Sequence, residues 1–297
     1  MTRYTVGPAT ITRVEEMLGP GAPPDFLFAG FDPALFERVP LLKDQAFYDA
    51  AAGRVISSVH SWLIRLHGKT ILVDTCSGNG RQRAPLFQRF GNLDTPYLQR
   101  LAEAGARPED VDIVLLTHLH VDHAGWNTHW QDGAWRPTFP NARYLMSRAG
   151  LARWLPGGDG PAALPEHVAV WEDSIRPVVE AGLVDTIEPG DTIVPGLTVA
   201  AAPGHEPHQF VVRFEDGPRR FVCSADVLHQ PIQIYAPHLN SCFCEDGETA
   251  RATRARYLAE WAESGALILP VHFGYPHAGY IRRDGDGYAF EPAVPLA

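Results

Sequence analysis

Thr117-His118-Leu119-His120-Val121-Asp122-His123 packs three imidazoles and a carboxylate into one short run, and its reading decides the fold. Neutral imidazole and carboxylate are the donors that zinc and similar divalent ions accept from a protein. Just ahead lies Val111-Asp112-Ile113-Val114-Leu115-Leu116, a mostly apolar, β-branched run of strand length, so the donors begin where a buried strand should emerge into a loop. If the chain continues nearly extended, alternation sends His118, His120 and Asp122 to one side. The adjacent pair Asp122-His123 then splits toward two points, which suits two metal positions.

Three more donors repeat this context. His205 follows the strand-like run Leu197–Ala202 and the turn Pro203-Gly204. Asp226 follows Arg220–Ala225, and His272 follows Ala266–Val271. Thirteen histidines in 297 residues would leave some at strand ends by chance. The inference therefore rests on the whole set, each member of which follows an apolar run, and on no single histidine.

Together, His118-x-His120-x-Asp122-His123, Pro203-Gly204-His205, Asp226 and His272 resemble the complete ligand set of the metallo-β-lactamase-fold hydrolases. The resemblance extends over roughly residues 57 to 280 and takes in Thr70-Ile71-Leu72-Val73-Asp74-Thr75, similar to the family's early strand ending in a structural Asp. It implies an α/β fold, the αβ/βα four-layer sandwich with an N-terminal extension. Residues 1–55 would form that extension within the same domain, and 56–297 the hydrolase domain proper. It further implies two divalent ions, one on His118, His120 and His205, the other on Asp122, His123 and His272, with Asp226 bridging. Such a pair, about 3.5–4 Å apart, lowers the pKa of bound water toward neutrality and supplies a hydroxide nucleophile. Zn2+ is the expected ion, although the same donors admit Mn2+, Fe2+ or Co2+.

Within this superfamily the chain looks most like the branch of N-acyl-homoserine-lactone lactonases, 4-pyridoxolactonase and methyl parathion hydrolase. Three features point there: the long lead-in before the core, Gly125-Trp126-Asn127-Thr128 after the metal motif, and Ser224-Ala225-Asp226-Val227-Leu228-His229-Gln230-Pro231. The implied activity opens a lactone or cleaves a carboxylic ester of a small molecule, with Asp122 moving the proton from nucleophile to leaving alkoxide. Phosphotriester or aryl-ester hydrolysis is the first alternative. β-Lactam hydrolysis ranks below it, because true metallo-β-lactamases usually lack an Asp at the position of Asp226. An iron-binding, oxygen-handling or sensor protein is the non-hydrolytic alternative, opposed by the intact Asp122, His123 and Asp226. The acyl-homoserine lactonases carry Tyr where this chain has His229, so an imidazole here either donates to a developing oxyanion or holds a carboxylate in place.

Composition sets the outer bounds. A chain of 297 residues at 45% hydrophobic suits one large domain. Its 25 Lys and Arg against 35 Asp and Glu argue against a nucleic-acid partner. Arg251, Arg254 and Arg256 are the local exception, expected on the solvated face of an amphipathic helix. The first twenty residues hold no long apolar stretch, which favours a cytoplasmic protein without a membrane partner. The four cysteines are expected as free thiols.

Residues 1 to 55 are rich in aromatics, including Phe26, Phe28, Phe31 and Phe36, and read either as a pocket wall over the site or as an arm packing on the core or on a second subunit, so a homodimer is a candidate assembly. Phe28, Trp126, His229, Phe273 and Tyr275 are the candidates for lining a substrate pocket, with Trp126 equally readable as a core anchor. Asp94-Thr95-Pro96 should open a helix that Gly105 closes, with Leu98, Leu101 and Ala102 as its apolar stripe. Trp126–Pro140 and Pro156–Pro161 read as loops.

Overall fold

The computed structural model describes residues 1–155 and 165–296. The expected loop Pro156–Pro161 lies outside the described residues. Strands and helices mix throughout, as an α/β fold requires, and the chain divides into two compact units. The first takes in residues 8–16 and 59–194; the second takes in 2–7, 17–58 and 195–297.

In the first unit the sheet runs in the order Ala9–Pro20, Arg54–Leu66, Lys69–Val73, Ile113–Leu115, Arg143–Ser147, Val184–Ile187, the two leading strands belonging to this unit only in part. Arg54–Leu66 pairs antiparallel with Lys69–Val73, placing Trp62 opposite Val73. The next three pairings are parallel, with Val73 beside Leu115, Leu115 beside Leu145, and Tyr144 beside Val184. Parallel strands present their carboxyl ends at one edge, the usual place for ligands in open α/β sheets. Asp74 follows one of these ends and Thr117–His123 another. Strand residues Ile71, Leu72, Val73, Val114 and Leu115 are buried and apolar, consistent with strands covered on both faces.

Two expectations are corrected here. The helix foreseen from Asp94 begins at Tyr97, because Thr95 is committed elsewhere: its N–H and hydroxyl both donate to Asn79 Oδ1 at 2.9 and 3.1 Å. Gly105 does end the helix in a left-handed conformation (φ +86°), but the buried face is Tyr97, Leu101 and Ala104. The stretch after Trp126 contains a β-hairpin, Thr128–Gln131 against Ala134–Pro137, turning over Asp132 (φ +50°) and Gly133 (φ +77°). An Asp-Gly pair between strand formers is a strong two-residue hairpin signal.

In the second unit the sheet order is Leu197–Ala201, Phe210–Asp216, Arg219–Cys223, Leu267–Leu269, Gly279–Asp284, Gly287–Pro292. The first two pairings are antiparallel and the third is parallel, with Cys223 beside Leu269. The strands ending at Ala201, Cys223 and Leu269 therefore point the same way. His205, Asp226 and His272 leave from one edge.

The helix Gly247–Ser264 packs on this sheet. Asp246 caps it by accepting from the N–H groups of Glu248 and Thr249, and Gly265 ends it at φ +63°. Its inner stripe is Ala250, Thr253, Arg254, Tyr257, Leu258 and Trp261. Tyr257, Leu258 and Trp261 join Ile268, Phe273, Ile281 and Phe290 in the core, where a fully buried large apolar side chain contributes roughly 1.5–3 kcal/mol. Arg254 departs from the solvated face expected of it: it is buried, donating to the carbonyls of Val227 and Pro237 at 3.0 and 2.8 Å. Its stem lies on the apolar stripe and these carbonyls give the buried guanidinium its acceptors.

From the lead-in, Leu27, Phe28, Leu35, Phe36, Leu42 and Val55 make a core with Ile232, Ala236 and Leu239. Among the described residues no helix is long and apolar enough to cross a membrane.

Candidate metal centre

Asp74 organises the donors of the first unit. It leaves its strand at φ +57°, its N–H still bonded to Leu115 O at 3.0 Å, and its carboxylate is 1% exposed. Oδ1 accepts from Thr117 N at 2.8 Å, while Oδ2 accepts from the Thr117 hydroxyl and from His123 Nδ1, both at 2.9 Å. With its proton held on Nδ1, His123 offers its Nε2 lone pair, 3.8 Å from Asp122 Oδ1. Because the Thr117 hydroxyl is spent on Asp74, it accepts from His118 Nδ1 at 3.1 Å. His118 Nε2 is then the bare nitrogen, 3.0 Å from His120 Nδ1. These tautomers are assigned from the network.

The donor loop is not extended throughout. His120 O accepts from the N–H groups of His123 and Ala124, so the chain winds into a turn. Thr75 holds that turn, its N–H and hydroxyl both donating to His123 O. The expected alternation of His118, His120 and Asp122 is replaced by a curl that brings the His118 and His123 rings together at a tilt, with centroids 4.0 Å apart. His167, absent from the sequence reading, lies parallel to His120 with centroids 5.9 Å apart and packs on Trp154.

In the second unit one buried carboxylate collects three imidazoles. Asp226 Oδ2 lies 3.1 Å from His205 Nε2 and 3.2 Å from His229 Nε2, and Oδ1 lies 3.2 Å from His272 Nε2. All four residues are buried. His272 Nδ1 donates to Ser58 O at 2.9 Å, so the nitrogen facing Asp226 carries a lone pair. A lone pair set against a carboxylate in a dry pocket repels it, and a cation between them removes that repulsion. The donor chemistry therefore fits a divalent ion.

Supporting groups hold this arrangement. Asp226 N donates to Gln209 Oε1 at 3.2 Å, and Gln209 Nε2 is tied to Ala202 O. His205 is cradled by the segment Cys244–Asp246: Glu245 N donates to His205 O, Asp246 N to Gly204 O, and Cys244 Sγ lies 3.9 Å from His205 Nδ1. Burial pushes the Cys244 thiol up to about 11, so at neutral pH it faces the imidazole uncharged. Gly204 sits at φ +125°, and a Cβ there would lie 2.2 Å from Ala250 N, so only glycine allows the loop to pass the helix start. There are no disulfides among the described cysteines.

The residues expected to line a pocket separate sharply. Phe28 and Phe273 are 0% exposed and fill the cores described above. Trp126 is a core anchor, stacked on Tyr97 and donating its indole N–H to the buried Glu16 at 2.6 Å. Phe28 and Phe273, enclosed by apolar neighbours, are corrected from pocket wall to core, and Trp126 takes the core-anchor reading that its sequence position equally allowed. Tyr275 is 58% exposed. His229 alone of the five lies among the donors.

The family model of the metallo-beta-lactamase superfamily matches residues 55–272. Among curated proteins, N-acyl homoserine lactonase AiiB of Agrobacterium fabrum is 37% identical over 81 residues, 23% of this chain and 28% of that relative. The matched stretch thus spans just over a quarter of the relative's length. Among solved structures, hydrolase AbOPH of the beta lactamase superfamily superposes with a TM-score of 0.81 at 25% identity, covering 100% of this chain and 98% of that one. AidC, described as a dizinc quorum-quenching lactonase with a product bound, also gives 0.81, at 20% identity over 99% and 98%.

Proposed function

The chain belongs to the metallo-beta-lactamase superfamily of hydrolases, and from that premise we propose that it is a binuclear metal-dependent hydrolase that opens a lactone, or cleaves a carboxylic ester, of a small molecule. His118, His120 and His205 would hold one ion and Asp122, His123 and His272 the other, with Asp226 shared. The observation that carries the reading is the Asp226 carboxylate with imidazole nitrogens at 3.1 to 3.2 Å on both oxygens, one of them locked as a lone-pair donor by Ser58. When bound, the ions supply Lewis acidity toward a carbonyl and bring the pKa of water toward neutrality.

The chain's own residues do the rest. Asp74 and Thr117 keep His118 and His123 in the tautomers that present Nε2. Asp122, with 15% side-chain exposure, is reachable from solvent. It accepts the proton released as the tetrahedral carbon forms and passes it to the leaving alkoxide. A small neutral or acyl substrate also suits a chain of net charge −10, which repels polyanions. The likeness to AidC and AiiB, named as lactonases, supports ranking the lactone ahead of other esters in this proposal.

The test pairs metal content per chain with rates on lactones, aryl esters and a phosphotriester. Two zinc-like ions with lactone turnover support the proposal. A single iron with no hydrolysis of any substrate overturns it, and preferential phosphotriester turnover replaces the substrate class.

A further inference from the structure

We infer that His229 is an additional metal ligand, coordinating through Nε2 the ion held by His205 and Asp226. The inference rests on the metal-dependent reading above and extends its donor set by one.

The motif spacing that marks the other donors passes over His229, yet the structure places it among them. It is 6% exposed, and neither ring nitrogen makes a hydrogen bond among the described residues. Its Nε2 lies 3.2 Å from Asp226 Oδ2, on the oxygen that also faces His205 Nε2 at 3.1 Å. The coordinating atoms of His205, Asp226 and His229 all lie within 4.8 Å of one another. Donors about 2.0–2.2 Å from one ion, at angles of about 90–110°, sit roughly 2.8–3.6 Å apart, so the contacts to Asp226 have the spacing of ligands around a common centre.

The ring is also held in place for this role. It packs against the imidazoles of His205 (4.8 Å) and His272 (5.8 Å). Its backbone N–H donates to Gln233 Oε1 at 2.7 Å, and Gln233 is itself tied to Leu239 O at 3.1 Å. A buried imidazole with no hydrogen bond on either nitrogen is costly, and coordination removes the cost at Nε2. The alternatives for an imidazole here differ in what they touch: an oxyanion donor meets substrate, whereas a ligand meets the ion whether or not substrate is present.

Three proteins are compared with Co2+ as the probe: wild type, His229→Phe and His229→Cys, each metal-stripped and titrated against a chelator. Coordination predicts that His229→Phe weakens one ion by more than about 100-fold, beyond the 10–100-fold typical of a group that merely supports a ligand. It also predicts that His229→Cys restores binding and adds a thiolate-to-cobalt absorption in the near ultraviolet that wild type lacks. Unchanged Co2+ affinity in His229→Phe, with or without loss of lactone turnover, overturns the inference, as does a His229→Cys spectrum identical to wild type. If His229→Phe does not fold, the spectrum of His229→Cys decides alone. Failure of wild type to bind Co2+ at all would instead sink the metal-dependent reading.

Discussion

Asp74→Asn isolates the group on which the first donor set depends. The carboxylate accepts three buried hydrogen bonds, from Thr117 N, the Thr117 hydroxyl and His123 Nδ1. An asparagine offers one oxygen and one NH2 in the same space. With the oxygen at the Oδ2 position, the NH2 opposes Thr117 N–H; with it at Oδ1, the NH2 opposes His123. Three charge-assisted bonds at about 1.5–3 kcal/mol each become at most two neutral ones at about 0.5–1.5 kcal/mol. Because the buried carboxylate also loses its desolvation penalty, the lower end applies, and metal-free Asp74→Asn should be about 3 kcal/mol less stable. That corresponds to a midpoint roughly 6–12 °C lower on heating. In the second orientation the His123 proton shifts to Nε2 and the ligand lone pair is lost, so metal affinity should fall by about 10–100-fold. The assays are urea unfolding of the stripped protein and chelator competition with Zn2+. Thr117→Val, which removes only the hydroxyl, should cost about 1 kcal/mol and serves as the internal scale. An Asp74→Asn variant within about 1 kcal/mol of wild type and with unaltered Zn2+ affinity would refute the argument, since its three donors would then have other acceptors.

Asp122→Asn should lower kcat by more than its metal loss explains, and equal activity per bound metal would remove the proton-transfer role. Gly204→Ala should destabilise the fold by about 3 kcal/mol or more, because a Cβ at φ +125° would sit 2.2 Å from Ala250 N; an unchanged denaturation midpoint would show that the loop yields. Stripping metal should lower the thermal midpoint, and restoring Zn2+ to about 100 times its dissociation constant should return about 2.7 kcal/mol; a midpoint insensitive to metal speaks against a built site. In the native protein an alkylating reagent should modify exposed Cys242 first and leave Cys244 nearly untouched at pH 8. Cys244 modification should rise only as pH approaches about 11, where its thiolate forms, and rapid modification at pH 8 read by peptide mapping would contradict that order.

Donors that end strands were readable in the chain because strand periodicity and ligand chemistry are both local. Ile113–Leu115, Leu197–Ala201, Arg219–Cys223 and Leu267–Leu269 form where apolar, β-branched runs call for strands, and the histidines and aspartates follow within a few residues. That the strands ending at Ala201, Cys223 and Leu269 run the same way within the second unit's sheet came from the observed pairing and not from the chain. One local signal was present but passed over, Asp132-Gly133 marking a hairpin in a stretch read as loop, and one was outweighed, Thr95 looking like a helix cap until Asn79 claimed it.

What only tertiary structure decided concerns groups that meet across long stretches of chain. Ser58 O on His272, Cys244 beside His205 and His167 against His120 lack a shared period or motif. The same holds for Arg254, whose helical spacing fits either face and whose burial is set by the carbonyls of Val227 and Pro237. The sequence by itself determined the ligand types and the strand ends that carry them, because those are written in neighbouring residues. Which tautomer each imidazole holds, and which side chains are core rather than pocket, depended on the packed fold, because a hydrogen bond or an apolar contact is defined by distance in space and not along the chain.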